Sequence, residues 1–437
     1  MERNPHECIP PPDETDPLRP SSRSHMNPSR TSPAMLRQKL AKIALLGLAR
    51  AFVRDELEIV DADRTIRACR RRRPHRPADN NMTSRITISD ARAWPLVLLG
   101  GSAGLGEAWF KGYWDTDDLT TALRVLARAT RTADRPRSAL HGATRPISDR
   151  LRRLRPQDKQ RDRRNIGAHY DLGNDFFEHF LDPTMMYSSA IFPSPEATLE
   201  EASVEKLDRL CRLIGLAPGD RVLEIGTGWG GFAIHAATRF GATVTTTTIS
   251  AEQFAYAHDR VERAGLSDRI DVLHDDYRDL SGTWDKVVSI EMIEAVDWRE
   301  YDTFFERCCK LLEPGGTMGL QAILIDDNRF ERAKNTRDFI KAHVFPGGCL
   351  PSTEAILRSV ERVTDFAMTA KVTFGSDYAE TLRRWRTNLH SDEAGLASLG
   401  LDQQFLRLWD FYLCYCEAGF DEQTIDVAQM VLTRTDA

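Results

Sequence analysis

A doubly wound α/β sheet preceded by a small N-terminal domain is the fold this sequence predicts, on three observations. From about residue 200, short β-branched runs alternate with amphipathic helical stretches. A glycine turn, "GTGWGG" at 226–231, follows the first of those runs. No internal repeat interrupts the order. Such a sheet gathers its ligands at the carboxyl ends of its strands.

Taken in order, "VEKLDRLCRLIG" is an amphipathic helix stopped by Gly215, and "RVLEIG" is a strand. "GFAIHAATRFG" is a helix ended by Gly241. "ATVTTTTI" is a strand whose run of four consecutive threonines suits a pleated surface. In "SAEQ", Ser250 and Gln253 fit a capping box that opens the next helix. "RIDVLHDD" and "WDKVVSIEM" are strands, "REYDTFFERCCKLLEPGG" a helix and turn, and "TMGLQAILI" a strand.

Before the sheet, residues 1–80 read as a disordered, basic extension carrying an amphipathic stretch at 35–58. Residues 84–130 read as a small folded domain. It ends in a helix with Leu119, Leu123 and Leu126 on one side and Asp117-Asp118 at its start. A basic linker covers 131–165, and the catalytic domain covers 166–437.

The chain has 437 residues, 41% hydrophobic and 28% charged, as expected of a globular enzyme. Its net charge of −6 argues against bulk nucleic-acid binding. The charge is uneven: "RRRRP" at 70–74 and "RLRRLRPQDKQRDRRN" at 150–165 are solvated faces or linkers, or else attract an anionic membrane. The eight cysteines form no C-x-x-C pair and no metal-site spacing, which suggests a reducing, cytoplasmic compartment and no metal. Cys308-Cys309 falls on a helical pattern as core. Residues 1–34 lack the apolar segment of a signal peptide, and no apolar run is long enough to span a bilayer.

The glycine turn alone does not name its ligand. A dinucleotide site wants an acid about 20 residues past the loop, but the second strand ends "TTTTIS". A P-loop wants Gly-Lys-Ser/Thr, which is missing from the turn. Glu224 lies just before the glycines, and an acid there balances a cationic amino-acid group. S-adenosylmethionine therefore suits the turn better than a nucleotide, though spacing leaves both open. Asp276 and Tyr277 in "DDY" would meet its adenine, the first as an acceptor and the second as a ring to pack on.

At these residues the sequence resembles the cyclopropane-fatty-acyl-phospholipid synthase family of class I (Rossmann-like) methyltransferases. The resemblance is carried by "NIGAHYDLGNDFFEHFLDPTMMYSSAIF", "VLEIGTGWGGFA", "TISAEQ", "DDYRDL", "EMIEAV", "VFPGGCLPS", "FGSDYAETLRRW" and "YLCYCEAGF", in the family's order over 165 to about 433. "GLGEAWFKGYWDTDDL" resembles the family's small N-terminal domain. It implies that Tyr187 and Ser188 bind the methionine part of the cofactor, and that Gly226, Thr227, Gly228 and Gly230 surround its amino-acid group. Thr248, Ser250 and Gln253 reach the ribose, and Asp276 and Tyr277 the adenine. It also implies a bicarbonate ion beside the transferred methyl, held at Ser189, Glu294, Gln321, Ile323 and Tyr378. Ser189 and Gln321 replace the Cys and His of the better-known pattern, and Ala295 replaces a His, which puts the product in question more than the methyl transfer. Cys416 matches a family cysteine near the active site and reads as pocket wall.

An isolated alkene is a weak nucleophile, so it must be held in line with the methyl donor and away from water. Its attack leaves a carbocation, which aromatic faces stabilise. Tyr170, Tyr187, Phe345, Tyr378, Trp385 and Tyr412 are the candidates, although Phe405, Trp409, Tyr412 and Cys416 share a helical face that is also plausible core. Loss of a proton then gives a cyclopropane, or, after a hydride shift, a methylene branch. Bicarbonate positioned by Glu294 and Tyr378 is the implied base. His169 and Asp171 read equally as a local hydrogen-bond network. The expected partners are unsaturated phospholipid acyl chains at the inner face of the membrane, with a homodimer as a candidate assembly.

Overall fold

The computed structural model describes residues 32–62, 64–68, 82–137 and 173–435. The basic runs at 70–74 and 150–165, and His169, Tyr170 and Asp171, lie outside the described residues.

The N-terminal domain begins well before residue 84. Helix α1 (Pro33–Phe52) is followed by β1 (Glu56–Asp61), β2 (Arg64–Arg67), β3 (Thr83–Ile88), α2 (Ala93–Phe110), β4 (Trp114–Thr116) and α3 (Leu119–Arg137). The four strands form one sheet in the order β2-β1-β3-β4, with β1 and β3 parallel. Residues 33–67, read above as part of a disordered extension, thus supply a helix and half of this sheet. Their apolar side chains explain it: Leu57 and Ile59, with Ile86 of β3, turn one face inward, onto the helices. Asp118 accepts from the Thr121 N–H at 2.9 Å and starts α3 as expected.

The catalytic domain runs through short helix α4 (Asn174–Glu178), α5 (Leu199–Leu213), β5 (Arg221–Ile225), α6 (Gly231–Phe240), β6 (Thr243–Thr247), α7 (Ala251–Arg263), β7 (Ile270–Leu273) and β8 (Trp284–Ile290). It continues with α8 (Tyr301–Lys310), β9 (Leu312–Ile325), α9 (Asp327–Ala333), α10 (Thr353–Val363), β10 (Phe366–Thr373), α11 (Gly375–Ser391), α12 (Glu393–Ser398), α13 (Gln403–Asp421) and β11 (Ile425–Arg434). The sheet order is β10-β11-β9-β8-β5-β6-β7. Strands β5 to β9 are parallel, as the βα alternation predicts. The last two strands, which the alternation did not reveal, add antiparallel: β11 on β9 and β10 on β11. Gly215 (φ +62) and Gly241 (φ +69) end their helices in the left-handed conformation. Cys308 and Cys309 are core.

The expected capping box at Ser250 forms by half. Ser250 accepts from the Gln253 N–H at 3.3 Å. The Gln253 side chain turns instead to the Thr248 hydroxyl, at 2.9 Å.

Helix α13 joins the two domains. Arg124 of α3 donates to Glu422 at 2.8 Å, Thr120 to Glu417 at 3.0 Å, and Arg407 to the Trp109 carbonyl at 3.0 Å. One apolar cluster extends from α1 through α2 and α3 into α11 and α13. The two domains therefore share a wall.

Candidate active site

That wall encloses a cavity of about 920 Å³, continuous from the carboxyl ends of β5, β6 and β8 to the space between α1 and α2. One end is polar. Gly226 (φ +103) and Gly228 (φ +51) turn the chain out of β5 in a conformation that side chains disfavour. A Cβ on Gly228 would meet nothing within 4 Å, so this glycine faces open cavity. Gly230 is not on the cavity wall; at φ +84 it caps α6, where a Cβ would press on Ala257 at 3.3 Å.

Glu224 lies on the wall and is buried. It accepts from the Thr246 hydroxyl at 2.6 Å, and Thr246 also meets Thr227 at 2.8 Å. Burial pushes the Glu224 carboxyl up to about 8, against the Thr246 bond and the charge of Lys206. A cationic group seated here would favour its ionised form. Tyr187, Ser188, Thr227, Thr248, Gln253, Asp276 and Tyr277 share the same wall, whereas Ser250 stands behind it as the cap of α7. Both Asp276 oxygens already accept from the Arg278 side chain, at 2.9 and 2.7 Å. A carboxylate has room for a further donor, so an amino group can still join them.

Ser188 carries an unforeseen partner. Lys206 of α5, wholly buried, donates to its hydroxyl at 2.7 Å. Burial lowers the Lys206 ammonium to about 8, opposed by the charges of Glu291, Asp182 and Glu224.

Beyond the cradle the cavity becomes apolar and aromatic. Tyr187, Phe345, Tyr378 and Tyr412 line it, and Tyr187 donates to the Tyr412 hydroxyl at 2.9 Å. Trp385 is fully buried behind Tyr187, with ring centroids 5.3 Å apart. Tyr412 and Cys416 face the cavity from α13, while Phe405 and Trp409 pack on Phe176 as core. Burial raises the Cys416 thiol well above its ordinary value, so it is wall rather than thiolate.

Of the five positions expected to hold bicarbonate, Ser189, Gln321 and Tyr378 come together around a further side chain, Glu291, and Ile323 meets Glu294. Glu291 sits at the end of β8 with φ +50, a strained backbone for a non-glycine residue. Its Oε1 accepts from the Ser189 N–H at 2.9 Å and from the Gln321 amide at 2.8 Å. Its Oε2 accepts from the Tyr378 hydroxyl at 2.7 Å. Ser189 and Gln321 are not on the cavity wall; they hold Glu291 from behind, and Glu291 itself faces the cavity. Glu294 lies alongside and accepts the Ile323 N–H at 2.5 Å. Burial, then the neighbouring Glu291 charge, push the Glu294 carboxyl up to about 8. The residues present therefore do not fit a free bicarbonate ion, because a protein carboxylate takes the donors that would hold it. The sequence carries the signal: "EMIEAV" places two glutamates, Glu291 and Glu294, at the end of a strand.

A glycine turn with a buried acid, opening onto an aromatic-lined apolar cavity, fits an S-adenosylmethionine-dependent methyltransferase acting on an apolar acceptor. The chain belongs to the mycolic acid cyclopropane synthetase family, whose sequence pattern matches residues 157–430. It is 43% identical over 343 residues to the tuberculostearic acid methyltransferase of Mycobacterium tuberculosis, covering 76% of this chain and 79% of that one. It is 36% identical over 349 residues to the cyclopropane-fatty-acyl-phospholipid synthase of Escherichia coli, covering 80% and 87%. Among solved structures, mycolic acid cyclopropane synthase complexed with SAH and CTAB is similar with a TM-score of 0.58 at 29% identity, covering 64% of this chain and 99% of that chain. The protein is an S-adenosylmethionine-dependent methyltransferase of the cyclopropane synthase family.

Proposed function

We propose that this enzyme methylates the carbon–carbon double bond of an unsaturated fatty acyl chain in a membrane phospholipid, giving a cyclopropane. The supporting observation is the single cavity that joins the Glu224 cradle to the exposed leucines of α1 and α2. Its volume of about 920 Å³ is near the top of the usual range for small-molecule sites. Its polar end suits the donor, and its apolar length suits a chain with no polar groups of its own.

The acyl chain enters from the membrane surface. Leu36, Leu40 and Ile43 form an exposed stripe along α1, and Leu48 of α1 and Leu98 of α2 are exposed on the cavity wall. Arg37, Lys39 and Arg50 are exposed on the same helix and attract anionic lipid. No helix among the described residues is long and apolar enough to cross a membrane.

Within the site, Glu224 and Thr227 hold the donor's amino-acid group, and Asp276 and Tyr277 its adenine. When bound, S-adenosylmethionine supplies an electrophilic methyl. Tyr187, Tyr378 and Tyr412 exclude water and turn ring faces toward the positive charge that develops on the chain.

A second reading of the product, a 10-methylene or methyl branch, is favoured by the 43% identity to the tuberculostearic acid methyltransferase. The test is mass spectrometry of lipids from a host expressing the protein. Monounsaturated chains should gain one CH2, and an unchanged lipid profile with purified, folded enzyme refutes acyl methylation. NMR of the product then distinguishes ring protons from vinylidene protons.

A further inference from the structure

We infer that Glu291 is the catalytic base of this enzyme, standing where an exchangeable anion would otherwise be required. The inference rests on the reading of the reaction as alkene methylation. Three independent donors converge on one carboxylate: the Ser189 N–H, the Gln321 amide and the Tyr378 hydroxyl, all within 2.9 Å. Two of the three come from positions at which the resemblance implies anion ligands with other side chains, Ser189 and Gln321. The Gln321 replacement and the added acid form one set, while the Ser189 hydroxyl donates to the Ala190 carbonyl at 3.0 Å and only its backbone N–H serves Glu291. A serine backbone N–H and a glutamine amide hold a tethered carboxylate from behind, and that carboxylate presents itself to the cavity.

The neighbouring carboxyl is built differently. Glu294 receives only the Ile323 N–H on Oε1, and among the described residues its buried Oε2 meets no hydrogen-bond partner. Burial raises the Glu291 carboxyl too, but the Tyr378, Gln321 and Ser189 donors and the Lys206 charge oppose it. Glu294 has one donor and an unpartnered oxygen, so of the two Glu291 is the one held ionised. The nearby Glu291 charge acts the same way on Glu294, raising its carboxyl. The pair thus divides into one base and one neutral acid. A left-handed backbone at Glu291 fixes the aim of the side chain, and such strain persists where the surroundings enforce it.

Methyl transfer leaves a cation on the acyl chain. A Glu291 oxygen then takes a proton from the newly attached methyl group. The C–H bond breaks, an O–H bond forms, and the freed electron pair closes the third side of the ring. If a hydride first shifts between the two former alkene carbons, the same pair forms a C=CH2 bond instead. Glu291 ends as a neutral carboxylic acid and passes its proton to water once product leaves.

The full-length enzyme tests this in two ways. In buffer scrubbed of carbon dioxide, wild-type turnover should stay within about twofold of its value with added bicarbonate. Carbon-13 NMR of labelled bicarbonate should show no saturable binding to the wild type, with or without S-adenosylhomocysteine. Glu291→Gln should lower kcat by at least 100-fold and leave cofactor affinity within about threefold. Glu291→Gly, compatible with the left-handed backbone, should open the pocket, bind labelled bicarbonate and regain turnover as bicarbonate is added. A wild type that binds bicarbonate saturably, or slows tenfold when it is removed, overturns the inference. So does a Glu291→Gln enzyme with normal kcat. If the wild type adds no CH2 to any lipid, the proposed function fails, while the labelled-bicarbonate binding still decides what occupies the anion position.

Discussion

The two walls of the cavity are made in opposite ways. The cofactor wall comes mostly from one span of chain, 224–300, as consecutive turns at the ends of parallel strands. The acyl wall is assembled from α1, α2, the Tyr187 segment, Phe345, α11 and α13, which meet only in the folded protein. A local wall depends on backbone conformation at a few positions. An assembled wall depends on packing and long-range hydrogen bonds, so its residues take their meaning from partners far away in sequence.

The sharpest way to break the comparison is at the local wall. Gly228→Val places a branched side chain where Gly228 faces open cavity, at φ +51. Affinity for S-adenosylmethionine should fall by at least 100-fold in calorimetry, and the strained backbone should lower stability by about 1–2 kcal/mol. Unchanged affinity in the folded variant would show that the turn does not hold the donor.

This difference also decides what could be read from sequence. The strand "RVLEIG", its glycines and Glu224 were legible because propensity, turn chemistry and charge all lie within ten residues. Residues 33–67 were misread because β1 pairs with β3 across a polar stretch, and only the pairing makes "ELEIVD" a strand. Gly230 and Ser250 matched a motif, yet serve helix ends behind the wall. Glu291 escaped because its importance lies in Ser189, Gln321 and Tyr378, none of them near it in the chain. Lys206 escaped likewise: it shares the buried helical face of Ala202 and Leu210, and only the fold shows that Ser188 meets it there.

The assembled wall should yield a milder and more selective phenotype. Replacing Leu36, Leu40 and Ile43 together by Ser removes the exposed stripe of α1 without touching the core. Binding to anionic vesicles should weaken roughly tenfold, by the loss of about 1–2 kcal/mol of apolar insertion. Turnover on detergent-dispersed lipid should change less than twofold. Equal vesicle binding by variant and wild type would move the docking surface elsewhere.

The smallest effect is expected where the walls meet, at Glu294. Its folded carboxyl titrates at about 8, against an ordinary value of 4.5, chiefly because burial disfavours the charged form. Below about pH 4.5 the group is neutral in both folded and unfolded chains and costs nothing. As pH rises toward 8 the unfolded chain ionises it and the folded chain does not, so stability falls progressively. Above about 8 both forms are ionised and the loss levels off. Glu294→Gln keeps the shape and removes the titration. Its melting temperature relative to wild type should therefore climb between about pH 5 and 8, reach a gain of roughly 2–5 °C, and then stay flat. Calorimetric scans of both proteins without cofactor measure this directly. A difference that does not vary with pH would mean that Glu294 is already ionised in the folded protein. The division of labour with Glu291 would then have to be redrawn, because two adjacent charged carboxylates would face the acyl chain together.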